Sequence, residues 1–230
     1  MNTNNGRPTV VLAHAAWFDG SSWNKVISAL DRRGYRAVAA QLPLTSLSDD
    51  VEALRRLLHR QNSPVVLVGH SYGGAIVTAA GADDPKVKSL VYVAALAPDQ
   101  AETVGQVFTR TEPHPQAPAL KPDSDGFLWL NVDAFRNAVA PDAPKEETAL
   151  MAATQKPIHV KCLNEPLGEA AWRDKPSWFL VAEGDRMISA EKQRFMAQRM
   201  NSTIVSLQGD HMPLASRPDA VADLIEQAAR

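Results

Sequence analysis

Val65-Val66-Leu67-Val68-Gly69-His70-Ser71-Tyr72-Gly73-Gly74 decides the fold. An unbroken run of β-branched and aliphatic residues meets Gly-x-Ser-x-Gly, and Ala75, Ile76, Val77, Ala79 and Ala80 follow as helix-compatible residues. A buried strand, a sharp turn and a helix are predicted in succession, the context a nucleophile elbow requires. The turn is tight enough to force its central residue toward positive φ, at a cost of about 1–3 kcal/mol for a non-glycine residue. Side chains at Gly69 and Gly73 would collide with neighbouring backbone. The strain has a use: it holds the Ser71 oxygen above the sheet at a helix N-terminus, where amides and the helix dipole favour negative charge. Without those flanking elements the motif would be an ordinary glycine-rich turn carrying an incidental serine.

On either side of the elbow the pattern alternates between strand and helix. Pro8–Ala13 is apolar without alternation, as expected of a strand buried on both faces. A turn at His14-Ala15-Ala16-Trp17 follows, then a helix over Ser22–Arg33, capped by Asp19 or Ser21 and stopped at Gly34. Tyr35–Leu42 reads as a second strand. Ser48 is expected to cap a helix over Asp49–Gln61, with acids in its first turn and bases toward its end. Pro64–Gly69 is the third strand, the elbow helix runs to about Ala82, and Val87–Ala95 is the fourth strand. Such alternation implies parallel pairing with right-handed crossovers. Between Ala97 and Lys175 the rhythm stops and prolines crowd in, with short helical runs near Val132–Ala140 and Lys145–Gln155. That is too long for a plain loop, so it reads as a small, mostly helical cap. Strand, helix, strand and helix resume at Ser177–Ala182, Ala190–Met200, Thr203–Leu207 and Asp219–Ala228. The expected organisation is a core over 1–96 and 176–230 with a cap inserted at 97–175.

Bulk properties exclude several classes. The 230 residues suit one domain of moderate size, and 45% hydrophobic content can fill its core. A net charge of −2 with mixed signs gives no basic face for nucleic acid and no polybasic stretch for a membrane surface. No apolar run approaches the roughly 18 residues that span a bilayer. The polar N-terminus carries no visible secretory signal, and the single Cys162 fits a reducing, cytoplasmic setting. Histidines are scattered without metal-ligand spacing, so neither metal nor cofactor is expected.

Acyl transfer needs a nucleophile, a base and a carboxylate that holds the base's tautomer. In an open parallel sheet these meet only at the carboxyl ends of strands. Ser71, Asp185 and His211 each follow a strand, in the chain order Ser, Asp, His. Asp99, after the fourth strand, is the alternative acid; Glu183 and Asp210 fit less well. For the oxyanion hole, the amide of Tyr72 is one donor and that of Ala16, in the loop after the first strand, the other. His14 and Trp17 flank the site, while His70 is expected to point away from Ser71. In the cap, Phe108, Phe127, Leu128, Trp129 and Trp172 are candidate pocket walls.

Four segments carry a family resemblance: His14-Ala15-Ala16-Trp17 with Gly20-Ser21-Ser22-Trp23, the elbow, Glu183-Gly184-Asp185-Arg186-Met187-Ile188, and Asp210-His211-Met212. The chain resembles the α/β-hydrolases, most closely small bacterial cofactor-free hydrolases related to plant methyl-ester esterases and hydroxynitrile lyases. The resemblance spans nearly the whole chain. It implies Ser71 as nucleophile, Asp185 as acid, His211 as base and the amides of Ala16 and Tyr72 as oxyanion hole. It also implies six strands, all parallel, because the sheet begins at the family's third strand. The family's oxyanion loop usually reads His-Gly; here it is His14-Ala15, and the extra methyl is expected to narrow the loop. The lyases carry a lysine after the catalytic histidine, where this chain has Met212. A carboxylesterase for small or medium uncharged esters, monomeric or homodimeric, is therefore expected over a hydroxynitrile lyase, amidase, lactonase, perhydrolase or receptor-like binding protein.

Overall fold

A computed structural model describes residues 6–230. Thr9–Ala13 (β1), the helix Asn24–Arg32 (α1), Ala37–Ala39 (β2), Leu47–His59 (α2), Val65–His70 (β3), Gly73–Ala80 (α3) and Val87–Val93 (β4) form the first part. The intervening segment holds Val104–Phe108 (α4), Phe127–Leu128 (β5), Val132–Ala134 (α5) running into a π-helical turn, Lys145–Ala153 (α6), Ile158–His159 (β6) and Lys161–Asn164 (α7). Ser177–Ala182 (β7), Ala190–Arg199 (α8), Thr203–Leu207 (β8), Pro213–Ser216 (α9) and Pro218–Ala228 (α10) complete the chain.

Six strands pair in the order β2-β1-β3-β4-β7-β8, all parallel. Every residue of β1 and β3 is buried, which explains their unbroken apolar sequence. Successive side chains take opposite faces: Val10 and Leu12 pack toward α1 and α10, while Val11 and Ala13 join the larger core on the other face. Burying each such aliphatic side chain contributes about 1.5–3 kcal/mol. From β1 the chain steps to β2 on one side, and from β3 to β4 on the other. The β1/β3 junction is therefore a topological switch point, where such sheets open a crevice.

Several boundaries differ from expectation for local reasons. β2 is confined to Ala37–Ala39 because the chain leaves the ladder after Ala40, and the Leu42 amide donates instead to His14 Nε2 at 3.0 Å. Ser46, not Ser48, caps α2 by accepting from the Asp49 amide. The segment between β4 and β7 is not wholly helical: β5 and β6 pair antiparallel, Phe127 opposite His159 and Leu128 opposite Ile158. Among the described residues no helix is long and apolar enough to cross a membrane.

Candidate active site

The elbow takes the strained form its glycines anticipate. Ser71 has φ 53°, in the left-handed region that L-residues avoid. A Cβ on Gly69 would sit 2.5 Å from the Gly73 carbonyl oxygen, and one on Gly73 would sit 2.5 Å from that of Ala13. Neither clash is relieved by rotating a side chain, because both partners are backbone. The Ser71 amide donates to the Val93 carbonyl and its own carbonyl accepts from Leu96, so the turn is tied to the segment after β4.

Three side chains from distant parts of the chain converge here. His211 Nε2 lies 2.9 Å from Ser71 Oγ, and His211 Nδ1 lies 2.6 Å from Asp185 Oδ2. The carboxylate accepts the Nδ1 proton, which leaves Nε2 free to accept from the serine hydroxyl. Asp185 follows β7, and its orientation is fixed four ways. Oδ1 accepts from the amides of Met187 and Ile188 at 2.7 and 2.9 Å, and Oδ2 accepts from Gln193 Nε2 at 2.9 Å as well as from the imidazole. Gln193, fully buried on α8, also bonds the Ile188 carbonyl and the Ala182 amide. Its part in holding the carboxylate was not readable from sequence, since a lone glutamine in a polar helix carries no signal.

The other candidate acids are engaged elsewhere. Asp99 forms a two-pronged pair with Arg173 at 2.8 and 2.7 Å, Glu183 pairs with Arg194, and Asp210 accepts from the Asp142 and Met212 amides. Asp210 thereby fixes the loop that presents His211. His70 points away from Ser71 as expected, and its Nε2 donates to the His211 carbonyl at 2.8 Å. Burial lowers its pKa to about 3, with His211 adding to the effect, so it braces the loop as a neutral ring.

Over Ser71 lies a small cavity of about 30 Å³, lined by Ala16, Trp17, Tyr72, His211 and apolar side chains that include Phe108 and Leu120. Ala16 and Tyr72 thus flank the serine from the two elements expected to supply amides, while Ala15 is buried outside the cavity lining. Other expected wall residues are not there. His14 is fully buried and spends Nε2 on the Leu42 amide, and burial lowers its pKa to about 4. In β5 successive side chains alternate, so Leu128 points inward while Phe127 packs edge-on against His159. Trp129 is 53% exposed with its indole N–H on Asp123. Trp172 donates to the Pro98 carbonyl and thereby joins the two ends of the inserted segment. Of the residues expected as walls, Trp17 and Phe108 line this cavity, and Leu128 lines the larger one beside it.

A parallel sheet with a strained serine at its switch point, a histidine beside it and a carboxylate behind defines a hydrolase class by geometry. The alpha/beta hydrolase family matches residues 10–224, and the chain belongs to that family. The alpha/beta hydrolase nvfD of Aspergillus novofumigatus is 29% identical over 247 residues, covering 97% of each chain. Methylesterase 8 of Arabidopsis thaliana is 25% identical, covering 93% of this chain and 86% of the relative. The crystal structure of a pyrethroid hydrolase from Sphingobium faniae superposes with a TM-score of 0.85 at 23% identity, covering 96% of this chain and 97% of that one. At that identity the structural likeness is one of fold.

Proposed function

We propose that this chain is a serine carboxylesterase acting on small or medium uncharged esters through an acyl-enzyme, with no cofactor. The observation that supports it most is the hydrogen-bonded relay from Ser71 Oγ through His211 to Asp185, at 2.9 and 2.6 Å, beneath an apolar cavity. His211 Nε2 takes the hydroxyl proton as Ser71 Oγ attacks the ester carbonyl carbon. The resulting oxyanion is received by the amides of Ala16 and Tyr72, each such donor contributing about 3–4 kcal/mol to the barrier reduction. Collapse breaks the bond to the alkoxy oxygen, which leaves with the proton from His211. Water, deprotonated by His211, then attacks the acyl-enzyme and releases the acid.

The name of the Arabidopsis relative, a methylesterase, agrees with this reading. The inserted segment acts as the cap over the site. Its buried, unpaired Cys162 agrees with a reducing, cytoplasmic setting. The test is a panel of esters, lactones and amides assayed with the native protein and with Ser71→Ala. Ester cleavage is expected to fall by about 10⁴-fold or more in the variant. Retention of most p-nitrophenyl-ester activity contradicts the assignment, and cyanide release from mandelonitrile in place of ester cleavage identifies a lyase.

A further inference from the structure

The cavity over Ser71 is the smaller of two adjoining chambers. The outer one has a volume of about 510 Å³. Phe108, Leu120, Leu163 and Met187 line both chambers and so form the partition between them. With about 30 Å³, the inner chamber has room for no more than about two waters. It can take the reacting carbonyl and a methyl-sized group. The rest of any larger ester must lie across the partition, in the outer chamber.

The wall of that outer chamber contains a cation. Lys192, on α8, is only 3% exposed and lines the chamber. Its Nζ donates to the Phe108 carbonyl at 2.6 Å and lies 5.2 Å from the Phe108 ring centroid. Among the described residues it makes no other hydrogen bond and no ion pair. An ammonium carries three donors, so two are left without a protein acceptor on a residue that lines the chamber. A ligand oxygen entering the chamber can accept from them, and a bond from a charged donor is stronger than one from a neutral donor. A carboxylate on the ligand fits poorly, because Glu112 lines the same chamber. A neutral carbonyl satisfies the donors without adding a second anion.

We propose that Lys192 is a specificity-determining residue whose two free N–H groups bind a neutral carbonyl oxygen several bonds from the scissile ester, making oxo-esters the preferred substrate class. This rests on Ser71 being the nucleophile. Lys192 also holds the carbonyl of Phe108, so the residue that reads the substrate also sets the partition the substrate crosses.

The experiment compares methyl octanoate with its 4-, 5-, 6- and 7-oxo derivatives and with monomethyl suberate, using the native protein and Lys192→Met. At least one oxo-ester is expected to exceed methyl octanoate in kcat/KM by about tenfold, the size of one charge-assisted hydrogen bond. Lys192→Met is expected to bring that ratio to about one. Three results overturn the proposal: no oxo preference in the native protein, a ratio unchanged by Lys192→Met, or a preference for monomethyl suberate, which makes the site an anion site. Calorimetry with Ser71→Ala, which keeps Lys192, reads the same preference as binding without turnover. Tighter binding of an oxo-ester there, with no native hydrolysis, would sink the esterase reading and leave the Lys192 site standing. Equal binding of oxo-ester and methyl octanoate would sink the site even if a Lys192 variant failed to fold.

Discussion

The sheet and the segment laid over it divide the work of this molecule. In the sheet, position is over-determined. Ser71 is held by strand, helix and two glycines that tolerate no Cβ, and Asp185 is fixed by four donors from β7's exit, α8 and the His211 loop. In the segment between β4 and β7, elements are two to nine residues long, and the side chains facing the site come from scattered short pieces: Phe108, Leu120, Ile158 and Leu163. Chemistry sits where the backbone leaves no choice. Selectivity sits where small changes in packing are tolerated.

The sharpest way to break this contrast is to substitute a carboxylate on each side of it. Asp185→Asn should lower kcat by about 10³–10⁴-fold, by removing the group that holds the imidazole tautomer. Asp99→Asn, which weakens a partly exposed pair with Arg173 well away from Ser71, should change kcat by less than about twofold. Steady-state kinetics on one ester decides both.

Asp50 tests the join between the two regions. This buried carboxylate of α2 accepts from the Leu44 amide and the Tyr72 hydroxyl, both at 2.7 Å, and from the Cys162 thiol of α7 at 3.7 Å. Burial raises its pKa to about 6, against an ordinary 3.8. Because the folded value is the higher, its stabilising contribution is full below about pH 4 and is lost as pH rises through about 6. The loss is on the order of 2–3 kcal/mol, and Asp50→Asn should abolish that part of the pH dependence. Chemical denaturation at pH 4.5 and pH 7 measures it; parallel pH profiles for variant and native protein would refute it.

Smaller effects are expected within the cap. Phe108→Ala removes a shared wall of the two chambers and should raise kcat/KM for bulky esters relative to methyl acetate by about tenfold. An unchanged ratio would mean that Phe108 is no partition. Trp129→Ala should alter activity by less than about twofold, because the indole lies outside both chambers. A loss greater than that would return Trp129 to the pocket.

The same contrast explains what was legible in the sequence. The strand runs, the elbow and the exits at Asp185 and His211 follow from local rules, because buried parallel strands must be continuously apolar and crevice residues must follow them. The walls do not follow from any local rule. Phe127 and Trp129 look like pocket residues by composition, yet the alternation of β5 sends Leu128 inward and them outward. Trp172 is drawn to the Pro98 carbonyl, a partner 74 residues away in the chain. Gln193 and Lys192 are adjacent polar residues of one helix, and sequence offers no reason to suspect that one holds Asp185 while the other faces a chamber.

The proposed chemistry depends on activation of Ser71 by His211 at this junction of strands. A fluorophosphonate probe, followed by peptide mass spectrometry on the native protein and on His211→Ala, tests it most directly. A single adduct on Ser71 is expected in the native protein, with strongly slowed labelling in the variant. A native protein left unlabelled at Ser71, or labelled equally fast without the histidine, would contradict it.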